Sequence, residues 1–149
     1  MLYVDTSIIV KLYVKEEHSL NVSNRIIENN EAIPLTGLHD LEFINAINLK
    51  LFRKEITEDE AGCIISKFHE HESRGVYYRP QLSWPETFRY AVDLSGSHTG
   101  NTGSRSLDIL HVASALSIKA DRFFTIDTRQ SELAHFAGLK IVKMDGSYA

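Results

Sequence analysis

The sequence predicts an α/β fold, a three-layer α/β/α arrangement with a mostly parallel central sheet. Two observations carry this. Short β-favouring runs alternate from end to end with segments whose apolar residues recur at helical spacing, which is the pattern of parallel strands joined by crossover helices. Neither an internal repeat nor a long linker interrupts the 149 residues, so one domain spanning 1–149 is expected.

The elements follow in order. Leu2-Tyr3-Val4 reads as a first strand ending at Asp5-Thr6-Ser7. Ile8, Ile9, Leu12 and Tyr13 then fall at helical spacing. A second helix opens at Lys15-Glu16-Glu17-His18, carries Leu20, Val22, Ile26 and Ile27, and stops near Asn29-Asn30. Ala32 to Thr36 is a second strand, weakened by Pro34. A long helix is expected from about Leu38 to Lys54, with the apolar Leu41, Ile44, Ile47, Leu51 and Phe52 at helical intervals.

Thr57 with Glu60 is a capping box that opens the next helix, which ends at Gly75. Val76-Tyr77-Tyr78 is extended, and Ser83-Trp84-Pro85-Glu86 repeats the capping signal before a helix with Phe88, Ala91, Val92 and Leu94 inside. The polar, Gly-, Ser- and Thr-rich run from Ser95 to Arg105 predicts a loop. A helix from about Ser106 to Lys119 follows, then a strand Arg122 to Ile126 ended by Asp127. A short helix near Ser131 to Ala137 stops at Gly138, and Leu139 to Val142 is the last strand.

Composition narrows the function. The chain carries 20 acidic against 16 basic residues, a formal charge of -4, which argues against gripping nucleic acid by bulk positive charge. It leaves room for an enzyme that handles nucleic acid briefly. No apolar stretch approaches the length of a membrane span, so a soluble, cytoplasmic protein with no membrane partner is expected. The single cysteine, Cys63, rules out an internal disulfide and reads as a buried structural thiol in a reducing compartment.

Four acids occupy informative places. Asp5 ends the first strand and Asp127 the fourth, while Glu42 and Asp108 lie in the opening turns of helices. In a parallel alternating fold, strand ends and helix starts face one edge, where ligands bind. Leu41 and Phe43 flank Glu42, and Leu107 and Ile109 flank Asp108, so these carboxylates sit beside apolar surface and need compensation. Helix N-termini supply part of it, and a divalent cation is the natural remedy for four like charges. Hard oxygen donors without a Cys or His set favour Mg²⁺ or Mn²⁺, and such a site suits phosphate-ester chemistry. The plain alternative is that these acids are N-caps.

In context these residues resemble the PIN-domain family, and within it the VapC-type toxins of toxin–antitoxin pairs. The resemblance spans nearly the whole chain. It rests on Tyr3-Val4-Asp5-Thr6-Ser7, on Leu41-Glu42-Phe43-Ile44-Asn45-Ala46, on Arg105 to Leu116, on Phe124-Thr125-Ile126-Asp127-Thr128-Arg129, and on Leu133-Ala134 and Gly138-Leu139. It implies Asp5 and Asp108 as principal metal ligands, with Glu42 and Asp127 completing the acidic pocket, and Thr6, Ser7 and Thr125 lining it. The implied activity is endonucleolytic cleavage of RNA with Mg²⁺ or Mn²⁺. The implied partners are a cognate antitoxin and a second copy in a homodimer.

Other residues carry two readings each. Arg105 and Arg129 either steer an RNA phosphate or form internal salt bridges that orient the carboxylates. Lys11, Arg79 and Arg89 read as solvated charge, with RNA-backbone contact as the alternative. His111 shares a helix face with Asp108 and reads as a hydrogen-bonded core histidine, with a ligand role as the alternative. His69 and His71 read as a solvated pair, and Trp84, Tyr77 and Tyr78 as packing residues rather than base-stacking ones.

Rival functions are a PIN nuclease of RNA processing, a non-catalytic RNA- or protein-binding module, and a phosphatase-like enzyme with Asp5 as nucleophile. The last class wants a second aspartate close behind, where Thr6, Ser7 and Ile8 stand.

Overall fold

The structure, a computed structural model, describes residues 1–145 and 147–149. Its elements run β1 (Leu2–Val4), α1 (Thr6–Tyr13), α2 (Ser19–Asn29), β2 (Ile33–Pro34), α3 (Gly37–Phe52), α4 (Glu58–Ser73), β3 (Tyr77–Tyr78), α5 (Trp84–Thr102), α6 (Ser106–Ser117), β4 (Arg122–Phe124), α7 (Thr128–Phe136) and β5 (Lys140–Val142). The expected α/β alternation holds, and the named strands pair in parallel. They form a three-stranded sheet, β1-β4-β5, and a two-stranded one, β2-β3. The chain gathers into two compact units, Met1–Asp5 with Pro80–Ala149, and Thr6–Arg79.

The first unit holds the three-stranded sheet. Val4 is in register with Phe124, and Phe124 with Val142, so the carboxyl ends of all three strands form one edge. Apart from Arg122 and Lys140, which open β4 and β5, the strand residues are buried and apolar, as parallel strands covered on their faces are. Tyr3 stacks on Phe123 with ring centroids 5.5 Å apart, and its hydroxyl bonds Nδ1 of the buried His111 at 2.9 Å. The core-histidine reading of His111 thus describes its place. α6 turns Ile109, Val112, Ala113 and Ala115 into this core. Its small residues leave room for α5, which contributes Ala91 and Leu94.

α5 corrects the sequence reading. The predicted loop from Ser95 to Arg105 is helical as far as Thr102. Residues that usually break helices are accommodated here by local bonding. Thr99 Oγ1 donates to Ser95 Oγ at 3.3 Å and Thr102 Oγ1 to the His98 carbonyl at 3.2 Å. Gly103, at φ 63°, ends the helix in the left-handed conformation that glycine adopts without strain. Ser83 stands at the N-cap of α5, yet its side chain makes no capping hydrogen bond. Pro85, in the first turn, supplies the start signal instead.

The second unit is built on an aromatic cluster. Phe43 of α3 stacks on Phe68 of α4 at 4.2 Å, and Tyr13 meets both rings edge-on. The Tyr13 hydroxyl bonds the Tyr77 hydroxyl at 2.9 Å and His71 Nδ1 at 2.7 Å. Burial, with Tyr77 alongside, pushes the Tyr13 phenol far above its ordinary value. His71 is therefore half-buried and bonded, where the sequence suggested a solvated residue; His69 is exposed as expected.

The capping box at Thr57 forms as expected, with Thr57 N donating to Glu60 Oε2 at 2.7 Å and Glu60 N to Thr57 Oγ1 at 3.2 Å. Pro34 is tolerated because β2 pairs with a single neighbour, β3.

One expectation about burial fails, that for Cys63, and two apolar stripes are only partly inward. On α3, Ile47 is buried with Leu38, His39 and Phe43, Ile44 and Leu51 are half-buried, and Leu41 and Phe52 are exposed. Of α2 only Val22 is buried, and Leu20 and Ile27 are exposed. Cys63 is exposed on α4 rather than buried.

Candidate active site

The carboxyl edge of the three-stranded sheet carries three of the expected acids. Asp5 follows β1 and extends its ladder, its N–H donating to the Phe124 carbonyl at 3.1 Å. Thr125 follows β4. Since the strands are parallel and in register, the two residues emerge side by side, and Thr125 Oγ1 donates to Asp5 Oδ2 at 2.7 Å. Asp5 is 5% exposed. A carboxylate buried to that degree needs donors to offset its lost hydration, and Thr125 is one.

The same hydroxyl accepts from Asp127 N at 3.0 Å. Asp127 is three residues past the end of β4, at the N-cap of α7, where its Oδ1 accepts from Gln130 N at 3.0 Å. Asp108 is the third residue of α6, and its Oδ2 accepts from the N-cap N–H of Arg105 at 3.3 Å. The plain capping role is thus real for Asp108 and Asp127, each of which spends one oxygen on it.

Arg105 ties these two acids together. Its Nε donates to Asp108 Oδ2 at 3.1 Å, and one terminal nitrogen stands 4.0 Å from Asp127 Oδ2. Of the two readings of Arg105, the internal salt bridge is what the structure displays. Arg129 is exposed and leans on the Gly103 carbonyl at 3.4 Å. Asp5, Thr125, Asp127, Arg105 and Asp108 form one contiguous network within the first unit.

Gln130 belongs beside it and escaped the sequence reading. It is 1% exposed, its Nε2 donates to the Asp108 carbonyl at 3.4 Å, and its Oε1 has no hydrogen-bond partner. A polar residue in the first turn of a short helix gives no sequence signal of burial.

Glu42, Thr6 and Ser7 lie in the second unit. Thr6 opens α1 and its Oγ1 donates to Glu42 Oε2 at 2.6 Å. Glu42 and Ser7 are half-buried. Phe43, beside Glu42, is buried and Leu41 is 64% exposed, so only one flank of the carboxylate is the apolar wall the sequence suggested.

Two turns of this unit are also fixed by side chains. His39 Nδ1 accepts from Thr36 N at 3.0 Å at the start of α3, a capping box in which histidine takes the usual Glu position. Arg79 grips Asp40 with two nitrogens, at 2.7 and 3.0 Å, and Glu72 likewise, at 2.6 and 2.8 Å. Arg79 is thus an internal staple between α3 and α4, not the solvated charge expected.

Among the described residues, no three His, Cys, Asp or Glu side chains are grouped as a metal site in this arrangement. Asp108 and Asp127 each give one oxygen to a helix cap, with Arg105 beside both. The donor set still fits a hard divalent cation, since Asp5, Asp108 and Asp127 offer carboxylate oxygens only. The Arg105 guanidinium already stands as a positive charge between two of them.

These features define an α/β protein in which Asp5 and Asp127 follow two parallel strands and share Thr125, with Asp108 joined to Asp127 through Arg105. The crystal structure of FitAcB from Neisseria gonorrhoeae shares the fold, with a TM-score of 0.62 over 99% of this chain and 100% of that one, at 13% sequence identity. No family model and no curated protein matches the sequence. Among the described residues no helix is long and apolar enough to cross a membrane.

Proposed function

We propose that the chain is a metal-dependent endoribonuclease of the PIN-domain type, acting as the toxin of a toxin–antitoxin pair. The observation that carries this reading is the network in which Thr125 and Arg105 join Asp5, Asp127 and Asp108. It matches the acids, and one of the pocket-lining hydroxyls, that the family resemblance names. The fold shared with FitAcB is consistent with it.

In this reading Asp5, Asp108 and Asp127 hold Mg²⁺ or Mn²⁺. When bound, that ion supplies a water of lowered pKa and neutralises charge developing on the phosphate. The chain's own groups do the rest. Thr125 fixes the orientation of the buried Asp5 carboxylate by donating to its Oδ2. The caps at α6 and α7 fix the backbones of Asp108 and Asp127. Glu42, oriented by Thr6, is the fourth acid that the resemblance assigns to catalysis. Arg129, exposed on α7, offers a planar donor fork to an RNA phosphate.

Partners follow from surface. On α5, Phe88 and Val92 are 53% and 69% exposed and line an apolar groove of about 210 Å³ with Ala91, Ile109 and Leu110. We propose this face of α5 as the contact for the homodimer that the resemblance implies. The antitoxin is the second protein partner implied by the resemblance.

The test is incubation of the protein with tRNA, rRNA fragments and mRNA in Mg²⁺, Mn²⁺ or EDTA, with Asp108→Asn as control. Discrete products that need metal and vanish in the variant are expected. No cleavage of any RNA under any condition contradicts the assignment.

A further inference from the structure

We infer that Arg105 is a built-in competitor of the divalent cation, occupying its place between Asp108 and Asp127 and displaced when it binds. This rests on the metal-site reading above and adds how the site is gated.

The geometry is that of a tethered counter-ion. Arg105 holds Asp108 Oδ2 through Nε at 3.1 Å and stands 4.0 Å from Asp127 Oδ2. The guanidinium thus stands against one oxygen of each carboxylate that the metal-site reading assigns to the cation. The Arg105 side chain is 72% exposed, while that of Asp108 is 17% exposed and that of Asp127 33%. The guanidinium is the most solvent-accessible group of the three. Arg105 is also the N-cap of α6, so its backbone stays fixed by the helix while the side chain swings.

An exposed pair of this kind is weak, which suits a group that must be dislodged by millimolar metal. It still has a consequence: metal binding is opposed by the pair it breaks. The guanidinium that leaves keeps its charge beside the site, where its planar donor fork matches a phosphate.

The test is Mn²⁺ affinity, read by electron paramagnetic resonance of free Mn²⁺, for the wild type, Arg105→Ala and Arg89→Ala. Arg89 is exposed on α5, and its variant matches the change in net charge. Arg105→Ala is expected to bind Mn²⁺ about two- to fivefold more tightly than the wild type, beyond any change in Arg89→Ala. Equal shifts in the two variants would reduce the effect to net charge and overturn the inference. Weaker binding by Arg105→Ala would make Arg105 a support of the site, and overturn it too. If none of the three proteins binds Mn²⁺, the metal-site reading itself fails and this one with it.

A second readout is independent of affinity. Saturating Mg²⁺ should shift the Arg105 Nε–H resonance, assigned by its absence in Arg105→Lys. A resonance that stays in place while the metal binds contradicts displacement.

Discussion

Thr125 donates its hydroxyl proton to Asp5 at 2.7 Å and accepts the Asp127 N–H at 3.0 Å. One buried side chain thus couples the residue after β1 to the N-cap of α7. The coupling exists because β1 and β4 are parallel neighbours in register, which brings residues 5 and 125 to the same edge.

Thr125→Val keeps the shape and removes the hydroxyl. It leaves the Asp127 N–H and one oxygen of a buried carboxylate short of a partner, a loss of about 1–3 kcal/mol. The melting temperature should fall by roughly 2–4 °C for each kcal/mol, and Mn²⁺ affinity should fall with it. Thr125→Ser should restore both. A Val variant as stable and as tight-binding as the wild type would remove Thr125 from the site.

Tyr3→Phe separates core from chemistry. It deletes the hydroxyl that bonds His111 Nδ1 at 2.9 Å and should cost about 1 kcal/mol, read in a urea melt. Mn²⁺ affinity should not change, because His111 serves the core. A large loss of metal binding would instead make His111 part of the acidic site.

The Arg79 staple predicts an acid limb to stability. Hydrogen bonds from Arg79 hold the Glu72 carboxyl below its ordinary value. A carboxyl depressed in the folded state adds stability that is present above its unfolded pKa and is lost as pH falls through the folded one. Urea stability should therefore decline below about pH 4.5. Glu72→Gln should flatten that decline and cost at most about 1 kcal/mol at neutral pH, since Arg79 and Glu72 are partly exposed. An unchanged pH profile in Glu72→Gln would show that the pair carries no stability.

Val92→Asp places a charge on the apolar groove of α5 without touching the core, since Val92 is exposed. If that face joins two copies, the variant should elute as a monomer in light scattering while keeping its melting temperature close to the monomer's own. A variant with the wild-type mass would move the homodimer contact elsewhere.

The sequence was most informative where local chemistry decides structure. Alternation of β-favouring and helix-periodic segments identified the α/β class, and Thr57 with Glu60 announced a helix start that forms as expected. The positions of Asp5 and Asp108 in their elements were legible for the same reason: strand ends and helix first turns are local features.

What failed was decided by tertiary context. The run Ser95 to Thr102 has weak helix propensity, yet packing of α5 on α6 carries the helix through it, with Thr99 and Thr102 bonding back one turn. Leu41 and Phe52 have the right hydrophobicity for a core, but the aromatic cluster around Phe43 and Phe68 sets the rotation of α3. Cys63 was read as buried, yet it lies on the exposed face of α4. The burial of Gln130 depends on the approach of α6 to α7, which no single segment encodes.

That Asp5, Asp108 and Asp127 hold a divalent cation is tested most directly by thermal melts of the wild type and Asp108→Asn across a Mn²⁺ titration. A ligand that binds only the folded state adds about 2.7 kcal/mol at 100 times its Kd, so the wild-type melting temperature should rise by several degrees and the rise should be lost in Asp108→Asn. A wild-type midpoint that does not move at millimolar Mn²⁺, or an equal rise in the variant, would contradict the site.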